Sequence, residues 1–349
     1  IGVHSLRDRR YQCKRCRTTF SATRGTPFYR LRTAVDTVIL VVTLLSHGCP
    51  LQAIVAAFGL DERTVAEWQA RAGQHGQAVH EHLVTAGQVD VQHVQADELW
   101  VKVVGKRVWM AMAVAVPARL WLGGVISSHR DLPLITALVQ TIRRCAITAA
   151  LLVCVDGLPS YVTAFGRVFR TPAHTGRRGR PRLIAEPGLL IGQIVKQYAC
   201  RHVVSVSHRV VQGSAAAISA VLATTRSGTT INTAYIERLN ATFRSSLAPL
   251  ARRGRAIART DAALTAGMYL VGCAYNFCWV HASLRQLAST GAAVKWQART
   301  PAMAAGLTDH CWTMSELLHD QVPLPAWLPP KRRGRPPKAT KLSALGAAA

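Results

Sequence analysis

Acidic residues are scarce in this chain: 17 Asp and Glu stand against 43 Lys and Arg in 349 residues, a formal net charge of +26. An imbalance of that size favours a polyanionic partner, and nucleic acid is the usual one. Long uninterrupted apolar runs are missing as well. Residues 38–45 are too few to cross a bilayer, and residues 108–126 are interrupted by Pro117 and Arg119, so neither reads as a membrane span. A disulfide framework is also absent. The nine cysteines are odd in number, Cys49, Cys145, Cys154, Cys200 and Cys273 lie in apolar surroundings, and Cys13-x-x-Cys16 alone has metal-ligand spacing. With no secretory signal at its start, the sequence leads to the expectation of a reducing, cytoplasmic location without a membrane partner. What remains is ample: 49% hydrophobic residues support real cores, in two or three domains.

The chain reads as four segments. Residues 1–32 contain the CxxC among aromatic and basic residues, as in a partial zinc-ribbon-like lobe that a metal would staple. A tetrahedral structural site takes four ligands, and only Cys13 and Cys16 stand out, with His4 as a third candidate, so the missing pair is expected upstream of Ile1. Residues 33–87 carry two short helices around Gly59, the second following the cap residue Asp61. That pattern matches a helix-turn-helix DNA-binding domain, with a plain helical hairpin as the alternative. Glu62, Arg63, Thr64, Glu67, Gln69 and Arg71 are its outward candidates for the major groove, and Val65 and Trp68 face inward.

From residue 88 the period shifts to that of strands rich in Val, Trp and Met, followed by a helix at 131–145 capped by Asp131 and a continuous apolar strand that ends in Asp156. Strands, a helix and a further buried strand predict an α/β catalytic domain over 88–285, with an Arg-rich loop inserted at about 170–190. Residues 233–250 predict a helix whose stripe is Ile236, Leu239, Phe243 and Leu247. Residues 286–349 read as an extension of uncertain order ending in a basic tail. Arg-Gly-Arg-Pro occurs twice, around Arg178 and Arg180 and around Arg333 and Arg335, and resembles the AT-hook, a narrow segment suited to the minor groove. A nonspecific phosphate-binding tail is the alternative.

Three of the few acids stand out. Asp97 and Asp156 sit in apolar strands, and Glu237 shares a helix face with Asn240 and Arg244 at spacings of three and four. That face is either an ordinary salt-bridging surface or a carboxylate for a metal beside groups that bind a DNA backbone, and the strand-borne acids favour the second. Carboxylates held beside hydrophobic strands carry a desolvation cost that divalent cations relieve. Two such ions between Asp97, Asp156 and Glu237 would support in-line attack at phosphorus. Glu98 points to the opposite strand face and ranks behind them.

QADELW, VCVDGLPSY and NTAYIERLNATFR resemble, in that order, the three acidic blocks of bacterial insertion-sequence transposases of the DDE type. YNFCWVHASLR and RTPAMAAGLTDHCW extend the likeness beyond the third block. The resemblance implies a ribonuclease-H-like mixed sheet with flanking helices, preceded by the zinc-ribbon-like segment and the helix-turn-helix. It also implies two Mg2+ or Mn2+ ions on Asp97, Asp156 and Glu237, a DNA-binding role for Arg244, and Zn2+ at the incomplete Cys13 and Cys16 site. The implied function is cleavage and strand transfer at the ends of a mobile element, by a homo-oligomer on DNA, in a prokaryotic nucleoid. A non-catalytic DNA-binding regulator, a decayed element and a metal-dependent nuclease on the same core are the alternatives.

Overall fold

The computed structural model describes residues 1–6, 10–147, 150–173, 180–200, 202–251, 256–288 and 295–323. The chain opens with a three-stranded antiparallel sheet, β1 (Gly2–Ser5), β2 (Arg10–Gln12) and β3 (Thr19–Ser21), in which Cys13 and Cys16 occupy the turn between β2 and β3. Helices α1 (Val35–Ser46), α2 (Leu51–Phe58) and α3 (Glu62–His80) follow. Asp61 caps α3 as its sequence position predicts, accepting from the Arg63 and Thr64 amides at 2.8 and 3.3 Å.

The central sheet has six strands and is mixed. Strands β4 (His93–Val103), β5 (Lys106–Ala115) and β6 (Leu120–Ser127) form an antiparallel meander, with Gly105 taking φ +75° in the tight β4–β5 turn, a conformation that favours glycine. After α4 (Leu132–Cys145), β7 (Leu151–Asp156) runs parallel to β4. Strand β7 lies between β4 and the later β10, and helices cover both of its faces, so five of its six residues are buried, which explains an apolar run with no alternation. Helix α5 (Pro159–Val168) comes next. The hairpin β8 (Arg170–Ala173) and β9 (Arg182–Ala185) then corrects the expected loop at 170–190, since short strands frame the Arg-rich stretch; Arg178 lies outside the described residues. Strand β10 (Leu189–Ala199) runs parallel to β7 and pairs antiparallel with β11 (His202–Gln212), giving the order β11-β10-β7-β4-β5-β6. Helices α6 (Ala215–Thr224), α7 (Ala234–Ser246) and α8 (Asp261–Cys273), the short ladder β12 (Gln286–Leu287) and β13 (Trp296–Gln297), and helices α9 (Pro301–Ala304) and α10 (Met314–His319) complete the described chain.

Helices cover both sheet faces. Val94, Ala96, Val153 and Val155 pack with α4 and α5 residues such as Leu138 and Phe165. Leu99, Val101, Met110 and Met112 pack instead with α7 and α8 through Ile236, Phe243 and Met268. The α7 stripe of Ile236, Leu239, Phe243 and Leu247 is buried as its spacing predicts. Helix α3 departs from its expected short length: it has 19 residues, and its second half, from Ala72 through His80, is largely buried beside α8. One apolar core therefore runs across the boundary expected at residues 87 and 88. The same core takes in Ala302, Leu317 and Leu318, so the segment after residue 285 contributes packed helices before its basic tail.

The α3–α8 crossing is close because Gly73 has no side chain: a Cβ there would lie 2.2 Å from the Ala266 carbonyl oxygen. Backbone cannot yield as a flexible side chain can, so Gly73→Ala is expected to destabilise the fold by about 1–3 kcal/mol. Thermal melting tests this, and an unchanged melting temperature would contradict the packing.

Candidate active site

Strand β4 and helix α7 meet through two side-chain contacts, and these determine where the acids lie. Gln95, fully buried on β4, turns its Oε1 to the free amides of Tyr235 and Ile236 at 2.9 and 3.1 Å, capping a helix whose own N-terminal residue, Thr233, makes no capping bond. Its Nε2 donates to the Asn232 carbonyl at 2.8 Å, so the approach to the helix is held as well. One turn further along, Asn240 Nδ2 donates to Asp97 Oδ2 at 2.7 Å. Asn240 was expected among the DNA-binding residues. It is 1% exposed, and its amide nitrogen is engaged with Asp97.

With α7 pinned there, Asp97, Asp156 and Glu237 line one cleft of about 460 Å³, together with Arg130, Lys196 and Thr233. Glu237 is half exposed, accepts from Thr233 Oγ1 at 3.0 Å and lies 3.4 Å from Lys196 Nζ. Asp156 ends β7 and accepts from the Leu158 amide at 3.0 Å, a local turn that aims the carboxylate out of the strand end. Gln193 on β10 supports this turn by donating to the Asp156 carbonyl at 3.1 Å.

Sequence reasoning underrated one acid. Oxygens of Asp97, Glu98 and Asp156 lie within 4.8 Å of one another, whereas Glu237 stands on the cleft wall outside that group. Glu98 does leave β4 on the face opposite Asp97, toward α5, where Tyr161 Oη donates to its Oε2 at 2.7 Å and the Arg130 guanidinium pairs with its Oε1. Because β7 stops at Asp156, nothing in the sheet separates Glu98 from the cleft. The partners Tyr161 and Arg130 come from distant segments, and neither carries a spacing signal that reading along the chain could detect.

Burial, then the neighbouring Glu98 charge and those of Asp156 and Glu237, push Asp97 up to about 7. Glu98 is raised too, by burial first and Asp156 second, against the opposing effect of Tyr161 and Arg130. Buried carboxylates whose charges also oppose one another fit a hard divalent cation, and the oxygens close enough to share one are those of Asp97, Glu98 and Asp156, with Glu237 on the facing wall.

The other expected contacts are distributed over the surface. Arg63 is exposed at the start of α3, with Thr64 half-buried beside it. Arg71 is engaged at the surface, paired with Glu67 and donating to the Tyr29 carbonyl at 2.8 Å. Arg244 lies half-buried in the last turn of α7, and Arg180 is exposed before β9. Arg333 and Arg335 lie outside the described residues. At the CxxC turn the Cys13 amide donates to Thr18 and the Arg17 amide to Cys13, both at 2.9 Å. Among the described residues no third ligand joins the two cysteines. Hydrogen bonds from Thr18 lower the Cys16 thiol to about 7.

The raised Asp97 pKa predicts a stability change of definite sign. Between its ordinary value near 4 and about 7, the folded chain keeps a proton that the unfolded chain has released, so without divalent ions stability falls as pH rises through that window. In chelator, the melting temperature is expected to drop from about pH 5 to about pH 7, Mg2+ to restore it at the upper end, and Asp97→Asn to flatten the trend. A wild-type trend no steeper than that of the variant would contradict the assignment. No family model matches this chain, and no curated protein matches it.

Proposed function

We propose that this chain is a DNA transposase of the DDE type, which cleaves at the ends of its mobile element and joins the freed ends to target DNA. The observation that carries the reading is the convergence of Asp97, Asp156 and Glu237, 59 and 81 residues apart in sequence, on one cleft of a chain with net charge +26. The strand order, an antiparallel meander extended by two parallel strands, is compatible with a ribonuclease-H-like core and adds support.

Two Mg2+ or Mn2+ ions bound by Asp97, Asp156 and Glu237 would supply charge stabilisation at phosphorus and ease deprotonation of the attacking hydroxyl. The chain's own residues set the geometry. Asn240 and Gln95 hold Asp97 and the Glu237 helix in register, and the Leu158 amide orients Asp156. In cleavage, a water oxygen bonds to phosphorus as the bond to the 3′-oxygen breaks. The water gives up a proton and the departing oxygen takes one, leaving a 3′-hydroxyl and a 5′-phosphate. In joining, that 3′-hydroxyl attacks a target phosphodiester, one bond forming as one breaks, so no external energy source is needed. Arg63, Thr64 and Arg71 near α3, Arg244 on α7, Arg178 and Arg180 in the Arg-rich stretch, and Arg333 and Arg335 in the tail are the proposed DNA contacts, Arg71 after release from Glu67. Zn2+ at Cys13 and Cys16 in the N-terminal sheet, and a homo-oligomer pairing two ends in a prokaryotic cytoplasm, belong to the same reading.

Asp97→Asn, Asp156→Asn and Glu237→Gln are each expected to cut the metal-dependent cleavage rate of end-bearing duplex by at least about a thousandfold while gel-shift binding persists. Near wild-type cleavage by any of the three would refute that residue's role. Binding without metal-dependent nicking by the wild-type chain would favour a regulator, and nicking without joining would favour a nuclease.

A further inference from the structure

The cleft contains its own cations. Arg130, between β6 and α4, approaches Asp156 Oδ2 at 3.3 Å. Lys196, on the part of β10 that runs past the end of β7, lies 3.4 Å from Glu237 Oε1. Both distances are long for charge-assisted hydrogen bonds, and all four side chains are partly open to solvent, so these contacts are readily exchanged. Arg130's other contact is different. Glu98 has a fully buried side chain, its second oxygen is taken by Tyr161, and the guanidinium lies 5.3 Å from the centre of the Trp109 ring. The guanidinium is therefore fixed on the cleft wall whether or not it touches Asp156.

Charge balance distinguishes two states of this site. With Asp97, Glu98, Asp156 and Glu237 ionised, Arg130 and Lys196 offset half of the negative charge, and a single divalent ion would offset the rest. A second ion leaves an excess of positive charge, which weakens the hold of the acids on their side-chain cations and favours an incoming anion.

Building on the transposase reading above, we propose that Arg130 and Lys196 are catalytic residues that bind the non-bridging oxygens of the scissile phosphodiester, and that their contacts with Asp156 and Glu237 are resting positions left when divalent ions take those carboxylates. Glu98 and Tyr161 then act as positioning residues for Arg130. Both cations stand in the cleft beside the acids, Arg130 from the segment between β6 and α4 and Lys196 from β10. A planar guanidinium and a mobile ammonium there are suited to two oxygens of one phosphate.

Two measurements on the 349-residue chain test this: Mn2+ binding without DNA, read by electron paramagnetic resonance, and single-turnover cleavage, at saturating Mn2+, of duplex carrying the DNA that flanks the coding sequence. For Arg130→Gln and Lys196→Gln, Mn2+ affinity is expected to hold or rise, since a competing cation is gone, while cleavage falls about a hundredfold. Arg130→Lys is expected to recover part of the loss, and Glu98→Gln to slow cleavage without weakening Mn2+ binding. Joint loss of Mn2+ binding and cleavage in the Arg130→Lys and Lys196→Gln variants would overturn the proposal, because the cations would then serve only to hold the acids in place. Wild-type cleavage rates in both Gln variants would overturn it too. Asp97→Asn in the same Mn2+ assay separates the two levels: undiminished binding there refutes the acid site itself, whatever Arg130 and Lys196 do.

Discussion

The attachment of helix α7 to strand β4 is the constraint on which the candidate site depends. A free helix terminus leaves amide groups to satisfy, and here a fully buried glutamine from the central sheet satisfies two of them. That arrangement ties the start of the helix to a strand position two residues from Asp97, and Asn240 ties the next turn to Asp97 itself. Glu237 is carried to the cleft between these two fastenings. The apolar stripe of α7 supplies the bulk of the attachment, but a stripe alone allows sliding along the sheet. The two amide side chains define the register.

Electrostatics shapes the rest of the site. The acidic cleft of this basic chain is lined by two cations, Arg130 and Lys196, and both lean on its carboxylates. Their contacts are with Asp156 and Glu237, while at Asp97 burial, then the adjacent Glu98 charge, displaces the carboxyl upward. The proposed phosphoryl transfer would place divalent ions among these acids.

Local sequence signals were legible where the physics is local. Asp61 and Asp131 cap their helices because a short acceptor side chain needs only the next few amides, and the α7 stripe is buried because its period is that of a helix. The apolar run of β7 marked a central strand correctly, as helices packed on both sides of the sheet exclude water from both of its faces. The length of α3, the β8–β9 hairpin and the packed helices after residue 285 were not legible. The first and last depend on partners far away in sequence, such as α8 for α3, and no spacing rule records such a partner; the hairpin is local, but its short strands flank an Arg-, Gly- and Pro-rich stretch that reads as loop.

By itself the sequence determined the charge, the alternation of helices and strands, and which three acids to suspect, because composition, period and capping act within a few residues. Tertiary structure alone decided that Asn240 turns inward to Asp97, that Glu98 stands beside Asp156, and that Arg130, Tyr161, Gln95 and Lys196 belong to the site. The reason is geometric. The end of β7 opens a gap in the sheet through which side chains from both faces meet, and where a strand ends relative to its neighbours is settled only when the sheet assembles.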